Sequence, residues 1–158
     1  MLIYLLRHGD ASQEYQNDRQ RPLSEEGKTS VKKVAEYVLR NKINPTRLIT
    51  SPMLRAWQTA NIVAEALNLN DKIEESDSMM PDSNPDDILR ILTRLDNNER
   101  VLLVGHQPLL GILISNLISK GFANIEVRKS SLACVEIHQP VSAGKGVLKF
   151  FINPELIN

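Results

Sequence analysis

Cysteine is almost absent from this chain of 158 residues, and the only one is Cys134. A single cysteine excludes an internal disulfide. The N-terminus also lacks the basic start, apolar stretch and small-residue cleavage site of a secretory signal. We therefore expect a protein of the reducing cytoplasm.

Net charge is missing too, because 19 basic side chains balance 19 acidic ones. A neutral chain has no overall field that attracts nucleic acid or an anionic membrane. Long hydrophobic runs are also lacking. The most apolar segment, 101–118, is broken by Gly105-His106-Gln107-Pro108, and neither half approaches the roughly 20 residues that span a bilayer. We expect neither nucleic acid nor a membrane as a partner.

Patterns that bind metals or nucleotides are absent as well. No set of His, Cys and carboxylate residues has the spacing of a zinc site. Gly27-Lys28-Thr29 resembles the end of a phosphate-binding loop, but Pro22 stands where that loop needs its first glycine. The sequence predicts no metal and no cofactor.

The chain does contain a regular alternation of strands and helices. Short apolar runs predict strands at 2–6, 47–50 and 101–104. Helices are predicted after Ser24, from a Ser51 cap with Pro52 in the first turn, over 88–95, and over 108–120. The first helix buries Val31, Val34, Ala35, Val38 and Leu39.

These elements predict one domain over residues 1–158. Strand-helix alternation favours a three-layer α/β/α sandwich with a mainly parallel central sheet. Two β-type runs at 131–138 and 147–152 predict an antiparallel edge. The polar stretch 74–87, which contains Pro81 and Pro85, predicts irregular structure.

Basic and imidazole side chains follow three of the predicted strands. Arg7 and His8 come after the first strand, Arg55 lies one turn into the helix after the second, and His106 follows the 101–104 strand. Since the carboxyl ends of parallel strands open on one crevice, we expect these four side chains to meet. Arginine offers bidentate donors for phosphate, and a neutral imidazole offers a nucleophilic nitrogen. The sequence predicts a local phosphate pocket.

Three motifs at these positions resemble those of the histidine phosphatase (phosphoglycerate mutase-like) superfamily. They are Leu6-Arg7-His8-Gly9-Asp10, Ser51-Pro52-x-x-Arg55-Ala56-x-Gln58-Thr59-Ala60 and Val104-Gly105-His106. The short length, the segment Asn17-Asp18-x-x-Arg21-Pro22-Leu23-Ser24 and the exit His106-Gln107-Pro108-Leu109 further resemble the small SixA-type phosphohistidine phosphatases. The resemblance spans nearly the whole chain.

The resemblance implies a role for each matching residue. His8 attacks phosphorus and becomes transiently phosphorylated, while Arg7, Arg55 and His106 hold the phosphoryl group without a metal. Arg21 is a further phosphate-binding candidate, with a solvated loop arginine as the alternative. No carboxylate clearly matches the proton donor of larger superfamily members, and Asp82 is the candidate general acid.

A missing proton donor favours an easy leaving group, and the imidazole of phosphohistidine is one. The resemblance therefore implies hydrolysis of phosphohistidine on a partner protein, such as a phosphotransfer or phosphocarrier domain, with release of phosphate. Few insertions predict an open site that admits such a side chain. Two alternatives stay open: a phosphatase of small phosphate monoesters, and a non-catalytic phosphate-binding module.

Overall fold

The computed structural model describes residues 1–157. Six strands form a single sheet: β1 (Leu2–Arg7), β2 (Arg47–Thr50), β3 (Ile73–Glu75), β4 (Arg100–Gly105), β5 (Leu132–Glu136) and β6 (Val147–Ile152). Their order across the sheet is β3-β2-β4-β1-β5-β6. The pairs among β1 to β4 are parallel, whereas β5 and β6 join antiparallel. The predicted mainly parallel sheet with an antiparallel edge is confirmed.

Four helices cover the two faces of the sheet: α1 (Glu25–Arg40), α2 (Leu54–Leu67), α3 (Pro85–Thr93) and α4 (Leu109–Ser119). Side chains alternate along β1, so Tyr4 and Leu6 lie in a core with residues of α1 and α2, while Ile3 and Leu5 lie in a core with residues of α3 and α4. Burial on both faces explains why β1 and β4 are continuous apolar runs. The three-layer α/β/α prediction is confirmed.

Three local predictions were wrong. The stretch 74–87 was expected to be irregular, but Glu74 and Glu75 belong to β3. An edge strand pairs on one side only, and both glutamates are exposed, so β3 carries no apolar signature. Leu39 is 54% exposed, because its neighbour Val38 takes the buried face of the helix and consecutive residues lie about 100° apart.

The start of α2 also differs from the prediction. The cap residue is Met53 and the helix begins at Leu54, rather than at Pro52 after a Ser51 cap. The Ser51 amide donates to the carbonyl of Val104 at 3.0 Å, which continues the bonding between β2 and β4 one residue beyond β2. Its hydroxyl accepts from the Met53 amide at 3.3 Å, which turns the chain from β2 into α2. Ser24 does cap α1, accepting from the Gly27 amide at 3.0 Å.

The loop after β1 packs closely against the start of α1. A Cβ atom on Gly27 would lie 2.0 Å from the carbonyl oxygen of Asp10, so only glycine fits there. The Ser24 amide donates to the same carbonyl at 3.0 Å. These contacts fix the chain that leaves β1. Within residues 1–157, no helix has the length and apolar character needed to cross a membrane.

Candidate active site

Two histidines meet where β1 and β4 end. The His8 amide donates to the carbonyl of Gly105 at 3.0 Å, which extends the pairing of the two strands by one step. His106 follows Gly105 directly, and the two imidazole rings lie 4.9 Å apart between centroids with an interplanar angle of 56°. The register of two adjacent parallel strands therefore brings these distant residues together, as predicted.

The ring of His8 has one nitrogen tied to the backbone and one facing Arg55. Nδ1 lies 2.7 Å from the carbonyl oxygen of Gly9, and Nε2 accepts from Nε of Arg55 at 3.3 Å. A carbonyl needs a donor and a guanidinium needs an acceptor. Together the two bonds assign the proton to Nδ1 and leave the lone pair on Nε2.

Both histidines are held neutral. Burial lowers the pKa of His8 to about 3, with further lowering from the nearby charges of His106, Arg55 and Arg7, against the Gly9 hydrogen bond that raises it. Burial also lowers the pKa of His106 to about 4, helped by Arg55 and opposed by Asp18. At neutral pH both rings are therefore uncharged, and Nε2 of His8 carries no proton.

Several buried polar atoms in this cluster have no partner. Among the described residues, four buried side-chain nitrogen and oxygen atoms lack a hydrogen bond, and they are Arg7 Nε, His106 Nδ1, His106 Nε2 and Gln107 Oε1. Leaving a buried polar group unpaired costs about 1–3 kcal/mol, and such groups call for an explanation. Three of the four belong to predicted site residues. Arg7 Nε is a donor, and the neutral His106 ring offers one donor and one acceptor.

Arg7 is anchored at one end of its side chain. Its Nη1 donates to the carbonyl of Val127 at 2.8 Å, and its charge contributes to the lowered pKa of both histidines. Since Nε remains unpaired, Arg7 offers a fixed positive charge and a free donor. Arg7, His8, Arg55 and His106 thus form one cluster, which we call the cationic cluster.

Arg55 is the most heavily bonded member of the cationic cluster. Besides Nε on His8, its Nη1 donates to the main-chain carbonyl of Asp18 at 2.8 Å and its Nη2 to the Asp18 carboxylate at 3.1 Å. Thr59, one turn later, accepts from the Gly9 amide at 3.2 Å and donates to the Arg55 carbonyl at 2.7 Å. This threonine ties α2 to the loop that carries His8.

Asp18 is a site residue that the sequence did not single out. It opens a short 3-10 turn, Asp18–Gln20, and its carboxylate also accepts from Arg21 at 3.0 Å. Partial burial raises the pKa of this carboxyl, but hydrogen bonds and charge from Arg55 and Arg21 outweigh that effect and the pKa is lowered. Arg21 thus reaches the cluster through Asp18 rather than directly.

The side chains of the cationic cluster are largely buried. His8 and Arg55 are each 7% exposed and His106 is 1% exposed. The Asp18 segment lies against Arg55. The open site stays a prediction.

Asp82, the candidate general acid, lies outside this cluster of contacts. Its side chain is exposed, and no hydrogen bond or ion pair joins it to another residue within 1–157. Its role stays a prediction. Within the same residues no group of three or more His, Cys, Asp and Glu side chains is arranged to hold a metal ion.

The fold and the cationic cluster together define an α/β protein in which two arginines lie against two buried, neutral histidines at the carboxyl ends of the central strands. The family profile described as the histidine phosphatase superfamily (branch 1) matches residues 3–79, which include His8 and Arg55. The chain belongs to this superfamily and is of the SixA type.

Two relatives and one solved structure are similar to this chain. The phosphohistidine phosphatase SixA of Escherichia coli is 29% identical over 98% of this chain and 94% of its own length. An uncharacterized protein of Picosynechococcus sp. is 36% identical over 70% of this chain and 69% of its own. The structure of the protein histidine phosphatase SixA complexed with tungstate superposes with a TM-score of 0.92, at 28% identity and full coverage of both chains.

Proposed function

We propose that this protein is a phosphohistidine phosphatase that acts on histidine-phosphorylated proteins through a phosphorylated His8. One observation carries the proposal. The Nε2 lone pair of His8 lies within a buried cluster of two arginines and a second histidine, and the proton of the ring is held on Nδ1 by the Gly9 carbonyl. A neutral nucleophile inside a cationic pocket suits attack on an anionic phosphoryl group.

In the first step, Nε2 of His8 forms a bond to phosphorus while the bond from phosphorus to the partner's imidazole breaks. The partner's imidazole leaves as a neutral ring when its other nitrogen carries a proton, so no enzyme acid is needed. Arg7, Arg55 and His106 stabilise the charge on the phosphoryl oxygens during transfer. Among their unpaired atoms, Arg7 Nε and the one protonated ring nitrogen of the neutral His106 supply donors.

In the second step, water attacks the phosphorus of phosphorylated His8 and releases inorganic phosphate. Nδ1 keeps its proton, which it donates in a hydrogen bond to the Gly9 carbonyl. The phosphorylated ring is therefore cationic. The electron pair of the phosphorus-nitrogen bond returns to Nε2, and the leaving group is again a neutral imidazole. The proton lost by water goes to the phosphate product. The same hydrogen bond thus serves both steps.

The carboxylates around the site favour phosphohistidine over a phosphate monoester. The alcohol of a phosphate monoester leaves as an alkoxide unless a general acid protonates it, and such an acid raises the rate by about 10²–10⁴. Asp18 is the carboxylate that touches Arg55, and its lowered pKa keeps it ionised at neutral pH, so it holds no proton to give. A phosphoimidazole substrate avoids this requirement.

We propose that the reaction needs no metal. The charges that metal ions supply in other phosphoryl transfers come here from Arg7 and Arg55, which would also repel a dication. The SixA relative was solved with tungstate, an oxyanion, which supports an anion site in this fold. We propose a phosphotransfer or phosphocarrier domain as the partner.

The experiment compares wild type with His8→Ala and with His138→Ala, a matched control on an exposed histidine. Each protein is incubated with a phosphohistidine-bearing protein and, separately, with a sugar phosphate whose leaving group is an alkoxide, in the presence and absence of EDTA. We expect wild type and His138→Ala to release phosphate mainly from the phosphohistidine protein, with or without EDTA, and His8→Ala to release none.

Three outcomes count against the proposal. If His8→Ala turns over as fast as wild type, His8 is not the nucleophile. If the monoester is hydrolysed faster than the phosphohistidine protein, the alternative substrate class is favoured. Loss of turnover in EDTA contradicts metal independence. An acid-labile, alkali-stable phosphoryl group on wild type and on His138→Ala, but not on His8→Ala, is the further result we expect.

A further inference from the structure

Asp18 accepts hydrogen bonds from both terminal nitrogens of Arg55, whereas Nε of Arg55 donates to His8. The carboxylate bonds Nη2 at 3.1 Å and the carbonyl of the same residue bonds Nη1 at 2.8 Å. Nε donates to His8, and Nη2 also donates to Sδ of Met53 at 3.4 Å, so four of the five N–H groups of this guanidinium have an acceptor. A phosphoryl group that takes two hydrogen bonds from Arg55 must therefore replace at least one of these acceptors.

The carboxylate is the acceptor that is easiest to replace. The Asp18 side chain is 56% exposed, against 8% for Arg55, so its rotation into solvent breaks few contacts. Residues 13–20 are all exposed, and the turn is held by local bonds such as that from the Gln20 amide to the Asn17 carbonyl at 3.1 Å. Rotation of this side chain breaks its bonds to Arg55 and Arg21, frees one N–H of Nη2, and leaves the main-chain bond to Nη1 in place.

The charge of the Asp18 carboxylate opposes the binding of a phosphoryl group at Arg55. The Asp18 carboxylate is ionised and close enough to His106 to affect that ring, so it lies within the field of the cationic cluster. A carboxylate and a phosphoryl group cannot both sit at full charge on Arg55 without strong repulsion. The same residue that satisfies Arg55 in the empty protein therefore opposes the anion.

We propose that Asp18 is a built-in competitor of the phosphoryl group for Arg55, and that it sets the affinity of the site for phosphate. This inference rests on the proposed function. In the empty protein Asp18 holds Arg55 in place with Nε toward His8, and on binding its carboxylate is exchanged for phosphoryl oxygens. The consequence is weak retention of inorganic phosphate, so that the product leaves readily.

The test uses Asp18→Asn, which keeps the size and one acceptor oxygen of the side chain but removes its charge. The matched control is Asp71→Asn, an exposed aspartate before β3 at the opposite end of the sheet from the site, with the same change in net charge. Binding of inorganic phosphate to each folded protein is measured by calorimetry at low ionic strength. Circular dichroism and thermal unfolding verify the folding of each variant.

We expect the dissociation constant for phosphate to fall about three- to tenfold in Asp18→Asn, the effect of one partly screened unit charge near the ligand, and not to change in Asp71→Asn. Asp18→Ala, which removes both the charge and the acceptor, is expected to bind phosphate more tightly as well. KM for the phosphohistidine protein falls in parallel.

A structural role for Asp18 predicts the opposite sign, because a loosened Arg55 binds phosphate less tightly. An unchanged or higher dissociation constant in Asp18→Asn overturns the inference. Labelling of His8 in the same wild-type preparation separates the two proposals: a label with unchanged phosphate affinity in Asp18→Asn contradicts this inference alone, whereas absence of the label contradicts the proposed function and this inference with it.

Discussion

Acidification from pH 7.5 to 5.0 is expected to destabilise this protein through two buried histidines. Burial lowers the pKa of His8 to about 3 and that of His106 to about 4, whereas a histidine in the unfolded chain titrates near 6.5, roughly. Below that value the unfolded chain binds protons that the folded protein does not. The contribution of these two neutral histidines to the free energy of unfolding is therefore fully present above about pH 6.5, and it is lost as the pH falls toward the folded pKa values.

The size of the loss follows from these pKa values. At pH 5.0 a histidine with a pKa of about 6.5 is about 97% protonated, while both buried rings remain largely neutral. Linkage then gives a loss of about 2 kcal/mol for each histidine and about 4 kcal/mol for the pair. This is a large part of the roughly 5–15 kcal/mol that stabilises a domain.

Urea unfolding followed by the fluorescence of Trp57, the only tryptophan, measures this loss. Wild type, His8→Gln, His106→Gln and the exposed control His138→Gln are each unfolded at pH 7.5 and 5.0. We expect the difference in the free energy of unfolding between the two pH values to shrink by about 2 kcal/mol in each of the first two variants and to stay at the wild-type value in the control.

Carboxylate titration contributes equally to all four proteins and cancels in this comparison. If His8→Gln loses as much stability between the two pH values as wild type does, His8 is not held neutral by burial. The availability of its Nε2 lone pair would then need another explanation.

Two substitutions probe the contacts around the cluster. Arg55→Lys keeps the charge but cannot bond His8 and Asp18 at once, and we expect kcat/KM for the phosphohistidine protein to fall by about 10²–10³; a fall of less than about threefold would show that charge alone is enough. Gly27→Ala places a Cβ 2.0 Å from the Asp10 carbonyl oxygen, and we expect urea unfolding to report a loss of about 1–3 kcal/mol or more. Unchanged stability would mean that the loop after β1 is not fixed by this contact.

Much of the fold could be predicted because the central strands are buried on both faces. Residues 2–6 and 101–104 are continuous apolar runs, and such runs predict central strands of a parallel sheet. The edge strand β3 could not be predicted, since it has three residues and two of them are exposed glutamates. One apolar residue is too little signal to separate a strand from a loop.

In the candidate site, too, some residues could be predicted from the sequence and others could not. The meeting of His8, Arg55 and His106 follows from strand order, because the carboxyl ends of parallel strands share one edge. Asp18 lacks such a signal. It lies in a run of exposed polar residues, 13–20, where a charged side chain is usually solvated. The resemblance to the SixA-type phosphatases includes Asp18 in its segment but gives it no role, and only the three-dimensional reach of Arg55 shows its contact with the site.

The most direct measurement is the position of the phosphoryl group on the trapped enzyme. Wild type is incubated with a phosphohistidine protein, denatured in alkali, and analysed by ³¹P NMR and peptide mapping. Because Nδ1 of His8 is bonded to the Gly9 carbonyl and Nε2 carries the lone pair, we predict a phosphoryl group on Nε2 of His8. A phosphoryl group on Nδ1, or on any other residue, would contradict the account.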